Sequence, residues 1–187
     1  MGLHCGAERM GCTVIPASGG NTERQLMIMR EFGTTAVSCT PSYFIHLVEE
    51  GENKYGVDFK KIPLKIGIFG AEPWSEHMRQ FMQKHTNIRA FDIYGLSEIA
   101  GPGVGGECCE QNGLHILEDN FYPEIVDPDT GIPLPDGEEE ELVLTTLNKR
   151  AMPILRYRTH DITSIINMPC ACGRTIRRIR RIGRRSD

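Results

Sequence analysis

The sequence predicts an α/β fold with a mostly parallel sheet and crossover helices, followed by a smaller antiparallel β lobe. Apolar strand-like runs alternate with helix-like segments up to Tyr94, and this order is typical of a parallel sheet with right-handed crossovers. After Gly106 the pattern changes to short alternating runs separated by turn sequences, which indicates antiparallel strands. We therefore expect one subdomain at residues 1–112 and a β-rich subdomain at residues 113–187.

The first subdomain is predicted to contain four strands and three helices. Thr22 is the expected N-cap of the first helix, with Gln25 three residues later, and Gly33 ends that helix. Pro41 begins the second helix, which ends at Gly51, and the polar segment 52–61 is a loop or a broken helix. The third helix spans Ser75–His85, and the predicted strands are Cys12–Pro16, Thr35–Thr40, Leu64–Phe69 and Ile88–Tyr94.

The second subdomain is predicted to consist of short strands. Turn sequences such as Pro135-Asp136-Gly137 and Met168-Pro169 separate them. The predicted strands are Leu114–Leu117, Tyr122–Asp127, Glu141–Thr146, Ile154–Arg158, Ile162–Ile166 and Thr175–Ile182.

Composition indicates a soluble globular protein. The chain has 187 residues, of which 40% are hydrophobic and 25% charged. We find no apolar run near the roughly 18–20 residues that a membrane span needs, and the first residues lack the apolar core of a signal peptide. The sequence therefore predicts a cytoplasmic protein without a membrane partner.

Charge is unevenly distributed along the chain, although the net charge is only −4. Residues 136–141 include five acids, and residues 174–185 include seven arginines. Such an arginine run can bind nucleic acid or line a phosphate site, and a solvated edge beside acidic neighbours has the same composition.

The segment Asp92–Glu98 joins an apolar strand to a glycine turn that carries a hydroxyl and a carboxylate. Strands of α/β sheets often present polar groups in this way at the edge where ligands bind. Ser97 could donate to a phosphate oxygen, and Glu98 could hold Mg²⁺. The alternative is an ordinary corner with a helix-capping serine and a solvated glutamate.

Two further segments change this interpretation: Gly70-Ala71-Glu72-Pro73 upstream and Tyr157-Arg158-Thr159-His160-Asp161 downstream. In this order the three segments resemble the adenylate-forming superfamily of acyl-CoA synthetases, and within it they are most similar to the phenylacetate-CoA ligase family. The resemblance covers nearly the whole chain, through Gly6–Arg9, Ser18–Gly20, Thr40–Tyr43, Gly101–Val104, Gly113–Ile116, Phe121–Glu124 and Arg185–Asp187.

The resemblance implies an ATP-dependent acid–thiol ligase. Such an enzyme activates an aryl acid such as phenylacetate as acyl-AMP and transfers it to coenzyme A, with ATP, Mg²⁺ and CoA as cofactors. Residues 1–112 would then be a partial adenylate-binding subdomain. Ser97 and Glu98 are the implied catalytic residues, with Glu98 on Mg²⁺. The expected residues of an apolar slot for the acid are Tyr43, Phe44, Phe69, Gly101 and Pro102.

The resemblance also implies the nucleotide contacts. Gly70, Ala71, Glu72 and Pro73 would border the adenine, with Asp92, Tyr94 and Gly95 on its other side. Asp161 would accept both ribose hydroxyls, and Arg185 belongs to the hinge-like sequence at the end of the chain. His160 stands where many relatives have glycine, and Arg184 where the hinge has glycine.

Two parts of such enzymes are absent from this sequence. Nothing before Gly19 resembles their phosphate loop, and the chain stops at the hinge before the C-terminal domain that carries their catalytic lysine. We therefore expect the central part of a ligase, with little turnover by itself. Exposed strand edges in such a part favour a homodimer.

Cysteine spacing predicts a structural zinc site. Cys170 and Cys172 lie in a Pro-Cys-Ala-Cys-Gly turn that offers two thiolates, as zinc knuckles do. The other candidate ligands are His115 and either Cys108 or Cys109. Unpaired buried cysteines are the alternative, and Cys5, Cys12 and Cys39 are expected to be small core residues.

A second class of function fits the same features. The chain could be a zinc-stabilised module that binds a nucleotide, or binds nucleic acid through its arginines, without catalysis. Nucleic-acid binding would weaken steeply with salt, whereas binding at an adenine site would not.

Overall fold

The computed structural model describes residues 2–186. Asp187, the last residue of the hinge-like sequence, lies outside the described residues. The chain forms two compact units, Met1–Phe91 and Asp92–Asp187. The expected boundary after residue 112 falls inside the second unit. Within residues 2–186, no helix has the length and apolarity needed to cross a bilayer.

The first unit alternates helices with strands. Strands β1 and β2 pair in parallel, with Ala36 opposite Ile66 and Cys39 opposite Phe69. In chain order the elements are α1 (Gly2–Arg9), α2 (Thr22–Glu31), β1 (Ala36–Cys39), α3 (Pro41–Asn53), a 3-10 turn (Phe59–Lys61), β2 (Ile66–Phe69), α4 (Glu76–His85) and the start of β3 (Arg89–Leu96).

Local capping explains where these helices begin. Asn21, not the predicted Thr22, caps α2, and its Oδ1 accepts a hydrogen bond from the Arg24 backbone N–H at 2.8 Å. Ser75 caps α4 by accepting from the Met78 N–H at 3.2 Å. Pro41 is the first residue of α3, as predicted.

The segment Cys12–Pro16 is not the strand that the sequence predicts. No strand among residues 2–186 pairs with it, and most of its residues are exposed. A short apolar run without a partner strand leaves its backbone groups to water, so propensity alone does not make a strand. Cys5 and Cys12 are exposed rather than core residues, and Cys39 is half-buried.

An aromatic cluster forms the core of the first unit. Phe44 and Phe69 are both fully buried, with ring centroids 5.2 Å apart. Phe59 lies edge-on to Phe44 at 6.5 Å, and Trp74 lies edge-on to Phe69 at 5.8 Å. Each such side chain contributes about 1.5–3 kcal/mol through burial, so this cluster holds α3, β2 and the following loop together.

The second unit consists of strands. Every pairing described within it is antiparallel, in the orders β3-β4-β5-β10-β9 and β11-β8-β7-β6. This confirms the predicted α/β part followed by antiparallel strands. The remaining elements are β4 (Gly101–Glu107), β5 (Leu114–Ile116), β6 (Phe121–Val126), β7 (Glu140–Thr146), β8 (Tyr157–Thr163), β9 (Ile165–Ile166), β10 (Arg178–Ile179) and β11 (Arg184–Arg185).

Strand β10 covers only Arg178–Ile179 of the predicted strand Thr175–Ile182. Two further strands also differ from the prediction. The glycine-rich segment after Ala100 is strand β4, and its backbone pairs with β3 and β5 although glycine has little strand propensity. Strand β8 runs without a break through His160 and Asp161, where the sequence predicts two separate strands. In both places pairing with neighbouring strands outweighs the local sequence.

The core of the second unit combines aliphatic and polar side chains. Fully buried apolar residues come from β5, β6 and β7, namely Leu114, Ile116, Ile125, Leu142 and Leu144. The same unit buries five acidic or basic residues, Asp92, His115, Glu141, Asp161 and Arg178. Since a buried ionisable group is costly unless it is paired, their partners define the candidate site.

Candidate functional site

Tyr94 and Asp161 form the centre of the candidate site in the second unit. The Tyr94 hydroxyl, on β3, donates a hydrogen bond to Asp161 Oδ2, on β8, at 2.5 Å. Asp161 is only 7% exposed. Arg185 lies opposite Asp161 in the β11–β8 ladder, and its Nη1 is 4.0 Å from Asp161 Oδ1. The structure thus brings three of the sequence-predicted residues together.

The surroundings of Tyr94 keep its hydroxyl protonated, so that it can donate a hydrogen bond. Burial raises the pKa of Tyr94 above its usual value, and the hydrogen bond and negative charge of Asp161 raise it further. The phenol is therefore protonated at neutral pH. It orients one oxygen of the Asp161 carboxylate and leaves acceptor capacity on the other.

The backbone around Asp161 is bent at His160, which has φ 61° in the middle of β8. A left-handed residue other than glycine is strained. The His160 N–H donates to Glu141 Oε1 at 3.1 Å, and its carbonyl accepts from the Ser186 N–H at 2.8 Å. These two bonds hold a conformation that glycine adopts more easily than histidine.

Glu141 is a residue of this region that sequence reasoning missed. It is fully buried, and its Oε2 accepts from Arg158 Nε at 2.8 Å. The sequence placed Glu141 at the start of a predicted strand but assigned it no role. The available signal was that Glu141 directly precedes the apolar strand Leu142-Val143-Leu144, so it is the acid of that run that enters the sheet.

Asp92 is also buried, at 9% exposed. Its Oδ2 accepts from Arg181 Nε at 3.1 Å, and its backbone N–H donates to Glu107 Oε2 at 2.8 Å. Arg177 and Arg184 pair with Glu118 and Glu139, each at 3.6 Å. Three of the seven arginines in the basic run, Arg177, Arg181 and Arg184, are thus paired with acids of their own unit.

Ser97 and Glu98 lie in the exposed turn between β3 and β4. The Ile99 N–H donates to the Leu96 carbonyl at 3.2 Å. Lys149 Nζ donates to the carbonyls of Glu98 and Ile99 at 3.0 and 2.8 Å. The turn is therefore anchored through its backbone, while the Glu98 carboxylate remains exposed. An exposed carboxylate is a fitting ligand for Mg²⁺, which prefers oxygen ligands and keeps several waters.

Gly95, Gly101 and Pro102 form the β3–β4 hairpin. Gly95 lies opposite Pro102, and a Cβ atom at Gly95 would lie 2.0 Å from the Gly101 carbonyl oxygen. Only glycine allows this close approach of the two strands. The close packing of the two strands therefore accounts for the glycine at position 95. Their expected contacts with nucleotide or acid remain predictions.

The loop Gly70–Pro73 follows β2 in the first unit. Glu72 Oε1 accepts from the Ser42 N–H at 2.7 Å, at the first turn of α3, and Ala71 has φ 68°. Ala71 and Pro73 are exposed, whereas Gly70 is buried. This loop therefore supports α3 and presents an exposed backbone, and adenine binding by it remains a prediction.

The residues expected to contact the acid also lie in the first unit. Phe44 and Phe69 are fully buried in the aromatic cluster. Among residues 2–186, the buried hydroxyl oxygen of Tyr43 has no hydrogen-bond partner. Tyr43 therefore has polar capacity that packing does not use. The expected substrate contacts of all three residues remain predictions.

Four potential metal ligands meet in the second unit: Cys108, His115, Cys170 and Cys172. Their ligating atoms all lie within 4.8 Å of one another. Cys108 is buried and belongs to this cluster, whereas Cys109 is exposed and its thiol contacts Glu110. The structure thereby decides which of the two adjacent cysteines faces His115.

The pKa values of the four residues are not all shifted in the same direction. Burial raises the pKa of Cys108 to about 11, whereas the Cys172 backbone N–H lowers the pKa of Cys170. Burial, followed by the charges of Arg174 and Arg178, lowers the pKa of His115. His115 is therefore neutral at neutral pH, which is the form of imidazole that binds metals.

Comparison with known proteins agrees with the sequence motifs. A family model described as AMP-binding enzyme matches residues 4–148. The phenylacetate-coenzyme A ligases of Aromatoleum evansii and Escherichia coli are 52% and 50% identical to the whole chain, which spans 42% of each of them. A crystal structure of 2-hydroxyisobutyryl-CoA ligase, in complex with 2-HIB-AMP and CoA, superposes with a TM-score of 0.89 over 95% of this chain and 40% of its own, at 24% identity.

Proposed function

The chain belongs to the AMP-binding enzyme family, and from this premise we propose that it is part of an AMP-forming acid–thiol ligase acting on an aryl acid of the phenylacetate type. The observation that carries the proposal is the buried Tyr94–Asp161 pair with Arg185 beside it. These residues come from three separate segments, and each belongs to a motif by which the sequence resembles such ligases.

The proposed reaction has two steps. An oxygen of the acid's carboxylate attacks the α-phosphorus of ATP, and pyrophosphate leaves. The sulfur of CoA then attacks the acyl carbonyl, the thiol proton is lost, and AMP leaves with the electrons of the broken C–O bond. Both steps develop charge on phosphate oxygens, so positioning and charge neutralisation dominate the catalysis.

Asp161 is the proposed ribose ligand. Its Oδ2 accepts from Tyr94, and its Oδ1 lies 4.0 Å from Arg185. A carboxylate has about four acceptor sites, so two ribose hydroxyls can still donate to it. Tyr94 acts by positioning Asp161. His160, with its left-handed backbone, fixes the direction in which the neighbouring carboxylate points.

Ser97 and Glu98 are the proposed phosphate and Mg²⁺ contacts. Glu98 would hold Mg²⁺, which would supply neutralisation of phosphate charge. Glu98 supplies an exposed carboxylate on a turn whose backbone Lys149 anchors. Ser97 supplies a hydroxyl donor from the same turn.

Further contacts are proposed residue by residue. Gly70, Ala71, Glu72 and Pro73 in the first unit are candidates for a contact with adenine. Asp92 and Gly95 in the second unit are separate candidates for a contact with the nucleotide. Tyr43 is the most specific candidate for the acid, because its hydroxyl has no partner within residues 2–186. Phe44 and Phe69 in the first unit are further candidates for a contact with the acid, and Gly101 and Pro102 in the second unit are separate candidates.

The cofactors of this reaction are ATP, Mg²⁺ and CoA. A zinc ion at the Cys–His cluster would be structural. We propose a cytoplasmic location, where ATP and CoA are available, and a homodimer as the assembly in which strand edges are covered.

Calorimetric titration with ATP and Mg²⁺, and then with AMP, tests the ribose assignment. We expect Asp161→Ala to abolish binding, whereas Asp119→Ala, which removes an exposed carboxylate, leaves binding unchanged. Circular dichroism of each variant checks that it is folded. Asp161→Asn keeps an acceptor for Tyr94 while removing the charge, and we expect it to bind at least tenfold more weakly.

Two outcomes would contradict the proposal. Folded wild-type protein that binds neither nucleotide would remove the basis for a nucleotide site. Equal affinities of wild type and the folded Asp161 variants would show that the ribose lies elsewhere. Repeating the titration at two salt concentrations separates the proposal from nucleic-acid binding, which would fall steeply with salt.

A further inference from the structure

We infer that Cys108, His115, Cys170 and Cys172 form a closed zinc site that fastens the loop after β4 and the turn before β10 to strand β5. The four residues come from three separate chain segments. Cys108 directly follows β4, and His115 lies in β5. Cys170 and Cys172 lie in the turn before β10. The inference is independent of the ligase reaction.

Distances between the ligating atoms fit a tetrahedral ion. Cys108 Sγ lies 3.6 Å from Cys170 Sγ, and Cys172 Sγ lies 3.5 Å from His115 Nε2. With Zn–S bonds of about 2.3 Å and a Zn–N bond of about 2.0–2.1 Å, tetrahedral ligand atoms are separated by about 3.5–3.8 Å. These two distances match a tetrahedral zinc ion, and all four ligating atoms lie within 4.8 Å of one another.

The backbone around the cysteines forms two tight turns. The Gln111 N–H donates to the Cys108 carbonyl, and the Gly173 N–H donates to the Cys170 carbonyl, each at 3.0 Å. The Glu110 N–H also points to Cys108 Sγ, at 3.4 Å. Turns that direct N–H groups at sulfur stabilise the thiolates that zinc requires. Gln111 and Gly173 complete these turns with φ of 50° and 82°.

A buried arginine joins the same two loops. Arg178 is 3% exposed and donates to the carbonyls of Asn112 and Met168. It also lies directly opposite His115 in the β5–β10 ladder. Three thiolates and one Zn²⁺ carry a net charge of −1, so a guanidinium beside them offsets the charge of the occupied site.

The ligand set indicates both the metal and its role. Three soft thiolates and an imidazole in a tetrahedral arrangement select Zn²⁺ over Mg²⁺ or Ca²⁺, which take oxygen ligands. Four protein ligands leave no position for water or substrate, as in structural zinc sites. Cys108, His115 and Cys170 are buried and Cys172 is half-buried, so the site is largely closed to solvent.

Metal analysis of the purified protein tests the inference. We expect one Zn²⁺ per chain and, after exchange, the intense visible absorption of tetrahedral thiolate-bound Co²⁺. Cys172→Ser should lose most of the metal and melt at a lower temperature. Cys109→Ser changes the adjacent exposed thiol and should retain both the metal and the melting temperature of the wild type.

A second variant guards against failure of Cys172→Ser to fold. Cys172→His retains a zinc ligand, so we expect it to keep one metal ion and to shift the Co²⁺ spectrum toward that of two thiolates and two imidazoles. Two results would overturn the inference. One is wild-type protein that holds neither zinc nor cobalt when both are supplied. The other is equal metal content and melting temperature in folded Cys172→Ser and wild type.

Discussion

The two units of the molecule bury different kinds of side chain. The first unit packs the aromatic rings of Phe44, Phe59 and Phe69 against one another, each almost inaccessible to solvent. Among residues 2–186, the second unit has an aliphatic core and buries five acidic or basic residues, whereas the first unit buries one, Arg79. The first unit is therefore held mainly by apolar burial, whereas the second also depends on completed polar pairings.

This difference indicates where function resides. A buried charge lowers the stability of the folded protein unless a partner offsets its desolvation. Functional sites accept that cost because they need oriented carboxylates, phenols and thiols. The buried polar pairings of the second unit involve Tyr94, Asp161 and Asp92, which the sequence motifs single out independently. Each substitution below tests one side of this contrast.

The largest effect is expected from Phe69→Ala in the first unit. Removing a fully buried ring leaves a cavity, and such changes cost about 3–5 kcal/mol. The free energy of unfolding, measured with denaturant, reports this loss. Phe32→Ala is the control, because Phe32 is 68% exposed, and its cost should stay within about 0.5 kcal/mol. Similar costs for the two variants would refute the aromatic core.

Tyr94→Phe tests the polar side of the contrast. It removes the hydroxyl that donates to Asp161 without changing the ring, and hydrogen bonds to charged groups contribute about 1.5–3 kcal/mol. Tyr122→Phe is the matched control, since Tyr122 is 46% exposed and its ring still meets Arg177. Equal unfolding free energies of Tyr94→Phe and wild type would mean that the Tyr94–Asp161 hydrogen bond does not contribute to stability.

The same hydroxyl predicts a pH dependence. The pKa of Tyr94 in the folded protein is raised above its unfolded value of about 10, by burial and then by Asp161. Above that pH the unfolded chain loses the proton while the folded protein retains it. The unfolded state then binds fewer protons, so stability falls as pH rises beyond about 10. Unfolding free energies measured across this range should fall less steeply for Tyr94→Phe.

Gly95→Ala tests whether the close approach of strands β3 and β4 contributes to the stability of the second unit. The new Cβ would lie 2.0 Å from the Gly101 carbonyl oxygen, and overpacking of this kind costs about 1–3 kcal/mol. At Gly106, on the partner strand, a Cβ would meet only ordinary contacts at 3.7 Å and beyond. A thermal melt in which Gly106→Ala loses as much stability as Gly95→Ala would contradict the hairpin geometry.

The smallest effect concerns reactivity rather than stability. Burial, followed by the charge of Glu72, raises the pKa of Cys39 to about 12 from a usual value of 9.0. At pH 8 its thiolate fraction is then roughly a thousandfold below that of a thiol with the usual pKa. Mass spectrometry after brief maleimide labelling should find Cys5, Cys12 and Cys109 modified and Cys39 unmodified. Equal labelling of Cys39 would mean that this part of the first unit is open to solvent.

Local sequence signals predicted much of the first unit. Pro41, Ser75 and the apolar runs fix α3, α4 and β2 through capping and burial, which neighbouring residues specify. The failure at Cys12–Pro16 has the opposite cause. A strand needs a partner, and the partner is not encoded in the run itself.

The second unit was harder to predict because its important contacts join distant residues. Motif resemblance named Tyr94 and Asp161, but neither residue predicts the other's position. Glu141 was placed in a predicted strand, but its partners Arg158 and His160 lie in another strand and the run itself does not name them. Strand β4 was missed because glycine carries little strand propensity. For the metal cluster, the sequence left Cys108 and Cys109 as alternatives, and only the direction of each side chain distinguishes them.

The pairing of β5 with β10 has a consequence for the order of folding. Leu114 lies opposite Ile179, whereas the intervening strands β6, β7 and β8 pair with their neighbours in sequence. Closing a long loop loses chain entropy before any stabilising contact forms. We therefore expect the β6–β7–β8 meander to form first during refolding and β10 to add to β5 late. Until that step the cysteines on the two sides of the meander remain apart, and each thiol is open to oxidation.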